Sequence, residues 1–61
     1  MEQMEQIGDL SLEVEPDGAG YVAVLYGPHG EDLWNSAHCR SEGYAREAGR
    51  LVAERVTGGE R

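Results

Sequence analysis

The sequence has no lysine and a single cysteine, Cys39. One cysteine cannot form an intramolecular disulfide, whereas a secreted domain of this size normally needs several. No apolar run approaches the roughly 20 residues that span a bilayer, and the first ten residues lack the basic and apolar segments of a signal peptide. We therefore expect a cytoplasmic protein. All five basic residues are arginine, which is typical of GC-rich coding and favours a bacterial host cell, with a phage or mobile element as the source.

Basic residues are also missing from the first half of the chain. Positions 1–32 carry eight acidic residues and no basic one, and positions 33–61 carry five Arg and four Glu. The acidic excess behind the net charge of −7 therefore lies in the first half. Phosphate binding requires the opposite sign, so we expect no direct contact with nucleic acid. A basic protein surface would instead be attracted.

The length of 61 residues allows one domain with one thin core layer and no deep substrate cavity. The spacing of apolar and polar residues predicts an α+β fold. It consists of a three-stranded antiparallel meander in order 1-2-3 with one C-terminal helix packed on one face. Residues 9–15 alternate as a half-buried strand, 21–26 are apolar on both faces, and 31–36 form a short third strand. Turns are predicted at 16–20 and 27–30, and loose tails at 1–7 and 58–61.

The expected register follows from a five-residue first turn. If Glu15 faces Tyr21, Val14 pairs with Val22 and Leu12 with Val24. Ser41 is the predicted N-cap of the helix, which ends at Thr57-Gly58-Gly59. The predicted core consists of Leu10, Leu12, Val14, Val22, Val24, Leu33, Tyr44, Ala48, Leu51 and Val52. The other sheet face would then be uncovered, with Tyr21, Leu25 and Trp34 at its centre and carboxylates at its rim.

Catalytic and metal-binding chemistry has little support. His29, His38 and Cys39 are the only soft metal ligands, and adjacent residues on an extended segment point apart, so no zinc site is predicted. A Cys–His nucleophile would need a cleft and an oxyanion hole that so thin a domain does not offer. We expect neither an enzyme nor a bound cofactor.

The acidic residues of the first half leave two interpretations. They either solvate the strands and discourage aggregation, or they bind a basic partner. The partner-binding hypothesis assigns the site to Asp9, Glu13, Glu15, Asp17, Tyr21, Glu31, Asp32 and Trp34.

Between Gly20 and Val52 the chain resembles the YegP-like family of small β-β-β-α modules. The shared features are the apolar strand YVAVLY, then Gly30-Glu31, a strand ending at Ser36, and Arg40-Ser41 before a helix with Ala45 and Ala48. This resemblance implies modules that pair in tandem or as dimers, without an assigned activity. It suggests the alternative function of a homodimerising structural or regulatory module.

In size and charge the chain also looks like phage anti-CRISPR proteins, several of which are acidic DNA mimics. That resemblance implies an inhibitor that blocks the DNA-binding surface of a type I CRISPR complex, with a Cas subunit as partner. This is the main functional prediction from the sequence. The protein would act as a monomer or a weak homodimer.

Overall fold

The computed structural model describes residues 4–58, which form four strands and one helix. The elements are β1 (Met4–Ile7), β2 (Leu10–Asp17), β3 (Gly20–Tyr26), β4 (Asp32–Asn35) and α1 (Glu42–Gly58). The sheet is antiparallel in the order β1-β2-β3-β4. The α+β class, the meander and the C-terminal helix are confirmed. The predicted number of three strands is wrong, because a fourth strand precedes them.

The additional strand is β1, formed by residues 4–7 that were expected to be a loose tail. Its partner is β2, from Met4 opposite Glu13 to Ile7 opposite Leu10. Glu5 lies on the helix side, where its carboxylate is 3.1 Å from Arg50 Nε and 3.8 Å from Arg46 Nη1. Because a charged residue occupies an inward position, residues 4–7 lack the alternation of apolar and polar residues by which a strand is recognised in a sequence. Gly58, expected to begin the C-terminal tail, is the last residue of α1, and residues 1–3 and 59–61, the rest of the two predicted tails, lie outside the described residues.

The turn between β2 and β3 is shorter than the sequence suggested. Asp17 pairs with Gly20, so the loop has only two residues, and Gly18 at its first position has a φ of 63°. A glycine with positive φ at that position is typical of a type II′ hairpin turn. Leu12 therefore faces Leu25 instead of Val24. The predicted register was one residue out, and such a slip moves every side chain of β3 to the opposite face.

Helix α1 begins as expected at Ser41, whose Oγ accepts the Tyr44 backbone N–H at 3.1 Å. The side that it buries differs from the predicted stripe, because it consists of Ala45, Gly49 and Ala53 at four-residue spacing. A Cβ at Gly49 would overlap Leu12 Cδ1, so the helix backbone lies directly on the sheet. Small residues permit this approach, whereas a stripe of large residues would hold the helix farther away.

The core is consequently small and is formed from short side chains. Its buried members are Leu10, Leu12, Ala23, Leu25, Ala45 and Ala53. Several residues predicted to be in the core are not in it: Val22 and Val24 lie on the other face, while Leu33, Tyr44 and Leu51 are exposed. Val14, Ala48 and Val52 are half-buried. Within residues 4–58 no helix is long and apolar enough to cross a membrane.

Candidate functional site

The sheet face turned away from α1, here called the open face, carries acidic residues around an apolar centre. Cross-strand partners share a face, so the register defines its members. They are Met4, Gln6, Ser11, Glu13, Glu15, Asp17, Val22, Val24, Tyr26, Asp32 and Asn35. Val22, Val24 and Tyr26 are half-buried although no helix covers them, because neighbouring side chains on adjacent strands shield one another.

Tyr26 occupies the centre of the acidic part of the open face. Its hydroxyl donates a hydrogen bond to Glu13 Oε1 at 3.2 Å. Burial raises the pKa of Tyr26, and the hydrogen bond and the charges of Glu13, Asp32 and Glu15 raise it further. The same three carboxylates thus act on one phenol from two strands. The arrangement presents an aromatic ring with negative charge on several sides.

Four of the predicted site residues lie on the open face, as the partner-binding hypothesis requires. Glu13 and Glu15 are successive outward residues of β2, Asp17 ends that strand, and Asp32 faces Tyr26 from β4. Asp9 lies in the turn between β1 and β2.

Glu31 is held in the turn between β3 and β4 by local hydrogen bonds. Its carboxylate accepts the His29 backbone N–H at 2.9 Å, and a Cβ at Gly27 would lie 2.6 Å from its Cδ. Hydrogen bonds from its own N–H and from that of His29 hold the pKa of Glu31 below its ordinary value. This carboxylate therefore stabilises the turn, and Glu31 is a weaker candidate for partner binding than Glu13 or Asp32.

Tyr21 and Trp34 were expected at the centre of the uncovered face, and the structure places both on the helix side. Tyr21 faces Pro16 and exchanges two backbone hydrogen bonds with Cys39, of 2.9 and 2.8 Å. Trp34 faces Leu25, and both Tyr21 and Trp34 pack against the core. The two-residue hairpin is the cause, because it reverses the direction of every side chain in β3 and, through the pairing of Leu25 with Trp34, that of Trp34 as well. A register shift between Leu25 and Tyr26 leaves Asp32 on the open face.

Val22, Val24 and Tyr26 are the open-face residues of β3, and sequence reasoning missed all three. The apolar run YVAVLY gives no sign of which face is buried, so the assignment rested entirely on turn length. A local signal was present in Asp17-Gly18-Ala19-Gly20, because a glycine followed by one small residue is a common two-residue hairpin loop.

The segment before α1 contains Ser36, His38 and Cys39, the nearest approach to a catalytic grouping. Ser36 Oγ accepts the Ala23 N–H at 2.9 Å, donates to the Ala37 carbonyl at 2.8 Å, and is 3.9 Å from Cys39 Sγ. The His38 ring packs over Gly20, where a Cβ would lie 2.5 Å from ring atoms. These contacts fasten the segment to β3. In the described part of the chain, no three His, Cys, Asp or Glu side chains are grouped to hold a metal ion.

Comparison of the chain with protein-family models, with curated proteins and with solved structures gives no match. The resemblances to YegP-like modules and to anti-CRISPR proteins therefore stay predictions.

Proposed function

We propose that this chain is a small protein-binding module that docks its open face on a basic surface of another protein. The observation that carries this proposal is the cluster of Glu13, Glu15 and Asp32 around the half-buried ring of Tyr26. An aromatic centre with a charged rim is the composition that binding surfaces favour.

The distribution of charge supports a basic partner. Residues 9–32 contain six acidic residues and no basic one, while all four arginines of the described residues lie between positions 40 and 55. Salt bridges of Arg46 and Arg50 go to Glu5 and Glu42 on the helix side. The strands thus supply no cation to neutralise the carboxylates of the open face, and a partner can provide it.

Arginine or lysine side chains fit this surface chemically. A guanidinium can lie over the ring of Tyr26 as a cation–π contact and pair with a neighbouring carboxylate through two hydrogen bonds. Val22 and Val24 would pack against the apolar stem of such a side chain. Self-pairing through the open face is disfavoured, because two copies would bring like charges together.

The most specific form of the proposal is an inhibitor that occupies the DNA-binding site of a type I CRISPR complex. Outward residues on one strand, such as Glu13 and Glu15, recur about every 6.8 Å, and β4 lies about 10 Å from β2. Duplex DNA carries one charge per ~1.7 Å of its axis, so the open face imitates only a short patch of it. We therefore expect it to cover part of a DNA-binding groove.

Competition for DNA tests this form directly. Increasing amounts of the protein should displace labelled target duplex from a purified type I complex, and the apparent affinity should fall as salt concentration rises. Inhibition that leaves duplex binding intact would contradict the DNA-site hypothesis. Binding that does not respond to salt would contradict a charge-driven interface altogether.

Two double charge-reversal variants test which surface binds the partner, and the test does not require the partner to be known. Glu13→Lys/Glu15→Lys and Glu47→Lys/Glu54→Lys change the net charge equally, but the first pair lies on the open face and the second on α1. Binding of an oligoarginine peptide is measured from amide NMR shifts during a titration. The affinity for the peptide should fall mainly in the first variant. A greater loss in the helix variant would overturn the open-face assignment.

A further inference from the structure

The open face is divided into two parallel stripes of different chemistry. Three successive outward residues of β2 are acidic and form what we call the acidic stripe: Glu13, Glu15 and Asp17. Three successive outward residues of β3 are aliphatic or aromatic and form what we call the apolar stripe: Val22, Val24 and Tyr26. Residues within a stripe are about 6.8 Å apart, and the two strands lie about 4.8 Å apart. The stripes therefore run side by side along the strands.

We infer that the basic partner of the open face presents an amphipathic helix, with arginine or lysine along one row of its surface and apolar residues along the next row. The helix lies along β2 and β3, so that its basic row covers the acidic stripe and its apolar row covers the apolar stripe. This inference rests on the proposed function, because it concerns the same face. It adds the form of the partner and the direction in which that partner lies.

Backbone hydrogen bonding favours a helix over an extended segment. Strands β2 and β3 lie in the middle of the sheet and are paired on both sides, with β1 and β4 as the outer strands. An extended segment on the open face would find no backbone partner in β2 or β3, and its N–H and C=O groups above the apolar stripe would be left unpaired. A helix pairs its own backbone groups internally. Helices also commonly cover the face of a sheet, as α1 does on the other side.

The dimensions of an α-helix match those of the two stripes. Residues four apart in a helix are separated by about 6 Å along its axis, close to the spacing of about 6.8 Å within the acidic stripe. Residues three apart lie about 5–6 Å from each other on the helix surface, close to the distance of about 4.8 Å between the stripes. The acidic stripe is about 14 Å long, which a helix covers in about nine residues. A helix of two to three turns can therefore reach all three carboxylates.

Charge complementarity requires the row above the acidic stripe to be basic. Residues 9–32 carry six acidic residues and no basic one, so β2 and β3 supply no cation of their own. Glu13 and Glu15 are half-buried, and water and salt screen a cation paired with them less than one paired with a fully exposed carboxylate. Glu13 also accepts the hydrogen bond of the Tyr26 hydroxyl at 3.2 Å, which holds one member of each stripe in a fixed position relative to the other.

Three synthetic peptides test the form of the partner. The helical peptide has Arg at every fourth position, Leu three residues after each Arg, and Ala elsewhere. One control has the same residues in an order without this period, and the other keeps the order but has Pro in place of two central Ala, which prevents a helix. In calorimetric titrations of the full chain, the helical peptide should bind about tenfold or more tightly than either control. Circular dichroism should show that this peptide gains helix on binding.

Variants of the chain test the apolar stripe separately from the charges. Val24→Thr keeps a β-branched residue of similar size but places a hydroxyl under the apolar row, so it should weaken binding of the helical peptide about three- to tenfold. It should weaken binding of oligoarginine less, because that peptide has no apolar row. Val56→Thr is the matched control, since Val56 is 53% exposed but lies on α1. Circular dichroism checks folding, and Val22→Thr replaces Val24→Thr if that variant is unfolded.

The outcomes separate this inference from the proposed function. If the three peptides bind alike while oligoarginine still binds the open face, the helical partner is ruled out and the proposed function stands. If neither the helical peptide nor oligoarginine binds, both are overturned. A folded Val24→Thr protein that binds the helical peptide as tightly as the parent would show that no apolar row lies above β3, and it would overturn the inference as well.

Discussion

The two faces of the sheet differ in how deeply their side chains are buried and in whether their carboxylates are paired with arginine. The helix-side face buries Leu12 and Leu25 completely, and its one inward carboxylate, Glu5, is paired with Arg46 and Arg50. The open face leaves Glu13 and Glu15 without an arginine from the strands. On the helix side a partly exposed carboxylate is thus accompanied by counter-charges, whereas on the open face the strands supply none.

The residues that stabilise the fold also differ from those that are available for binding. Burial is greatest where α1 lies on β2 and β3, whereas Val24 and Tyr26 of the open face are only half-buried. Changes on the helix side should therefore act on stability. Changes on the open face should act on charge and on recognition.

The largest expected effect comes from adjacent residues of β3 that point to opposite faces. Leu25→Ala should lower the free energy of unfolding by about 2–5 kcal/mol, because Leu25 is fully buried. Val24→Ala should cost about 1 kcal/mol or less, since Val24 is half-buried on the open face. Urea denaturation measures both variants. The reverse order would show that β3 pairs with β2 one residue out of the register described above.

A smaller effect should distinguish Gly49 from Gly43, two of the glycines of α1. Gly49→Ala would overlap Leu12 and should destabilise the fold by about 1–3 kcal/mol, despite the better helix propensity of alanine. Gly43→Ala is the control, because a Cβ there meets nothing within 4 Å; it should be neutral or stabilise by up to about 1 kcal/mol. Melting temperatures give the comparison. Equal effects at the two positions would mean that the helix does not rest on Leu12.

The smallest effect concerns the ionisation of Tyr26 on the open face. Glu13→Gln should lower its pKa towards, but not to, the ordinary value, because burial is the largest cause of the shift and remains. Glu5→Gln, on the helix side, should leave it unchanged. Absorbance of tyrosinate during an alkaline titration follows the change, with Tyr21→Phe and Tyr44→Phe used to assign the signal.

The same shift links Tyr26 to stability at high pH. A raised pKa in the folded state means that the contribution of Tyr26 is complete below the ordinary pKa of about 10 and is lost as pH rises above it. Stability measured across that range should fall less steeply in Glu13→Gln than in the parent. An equal decline would indicate that Glu13 does not act on Tyr26.

Residues with strict alternation or a local capping signal were assigned correctly from the sequence. Leu10, Leu12 and Val14 alternate with polar residues, which places β2 and identifies its inward face. Ser41 precedes the helix and caps it. The same reasoning did not predict that Glu5 faces the helix side, because the arginines that pair with it lie more than 40 positions farther along the chain, in α1.

What the sequence by itself determined is the antiparallel meander, the C-terminal helix and the concentration of negative charge in the strands. These follow from spacing and composition, which act locally or require no contacts. The face that β3 buries, and with it the positions of Tyr21, Val24 and Trp34, depended on a difference of one residue in pairing. Only the tertiary structure decided it: YVAVLY is apolar on both sides, and the pairing of Asp17 with Gly20 across a two-residue loop sets which side of β3 faces the helix.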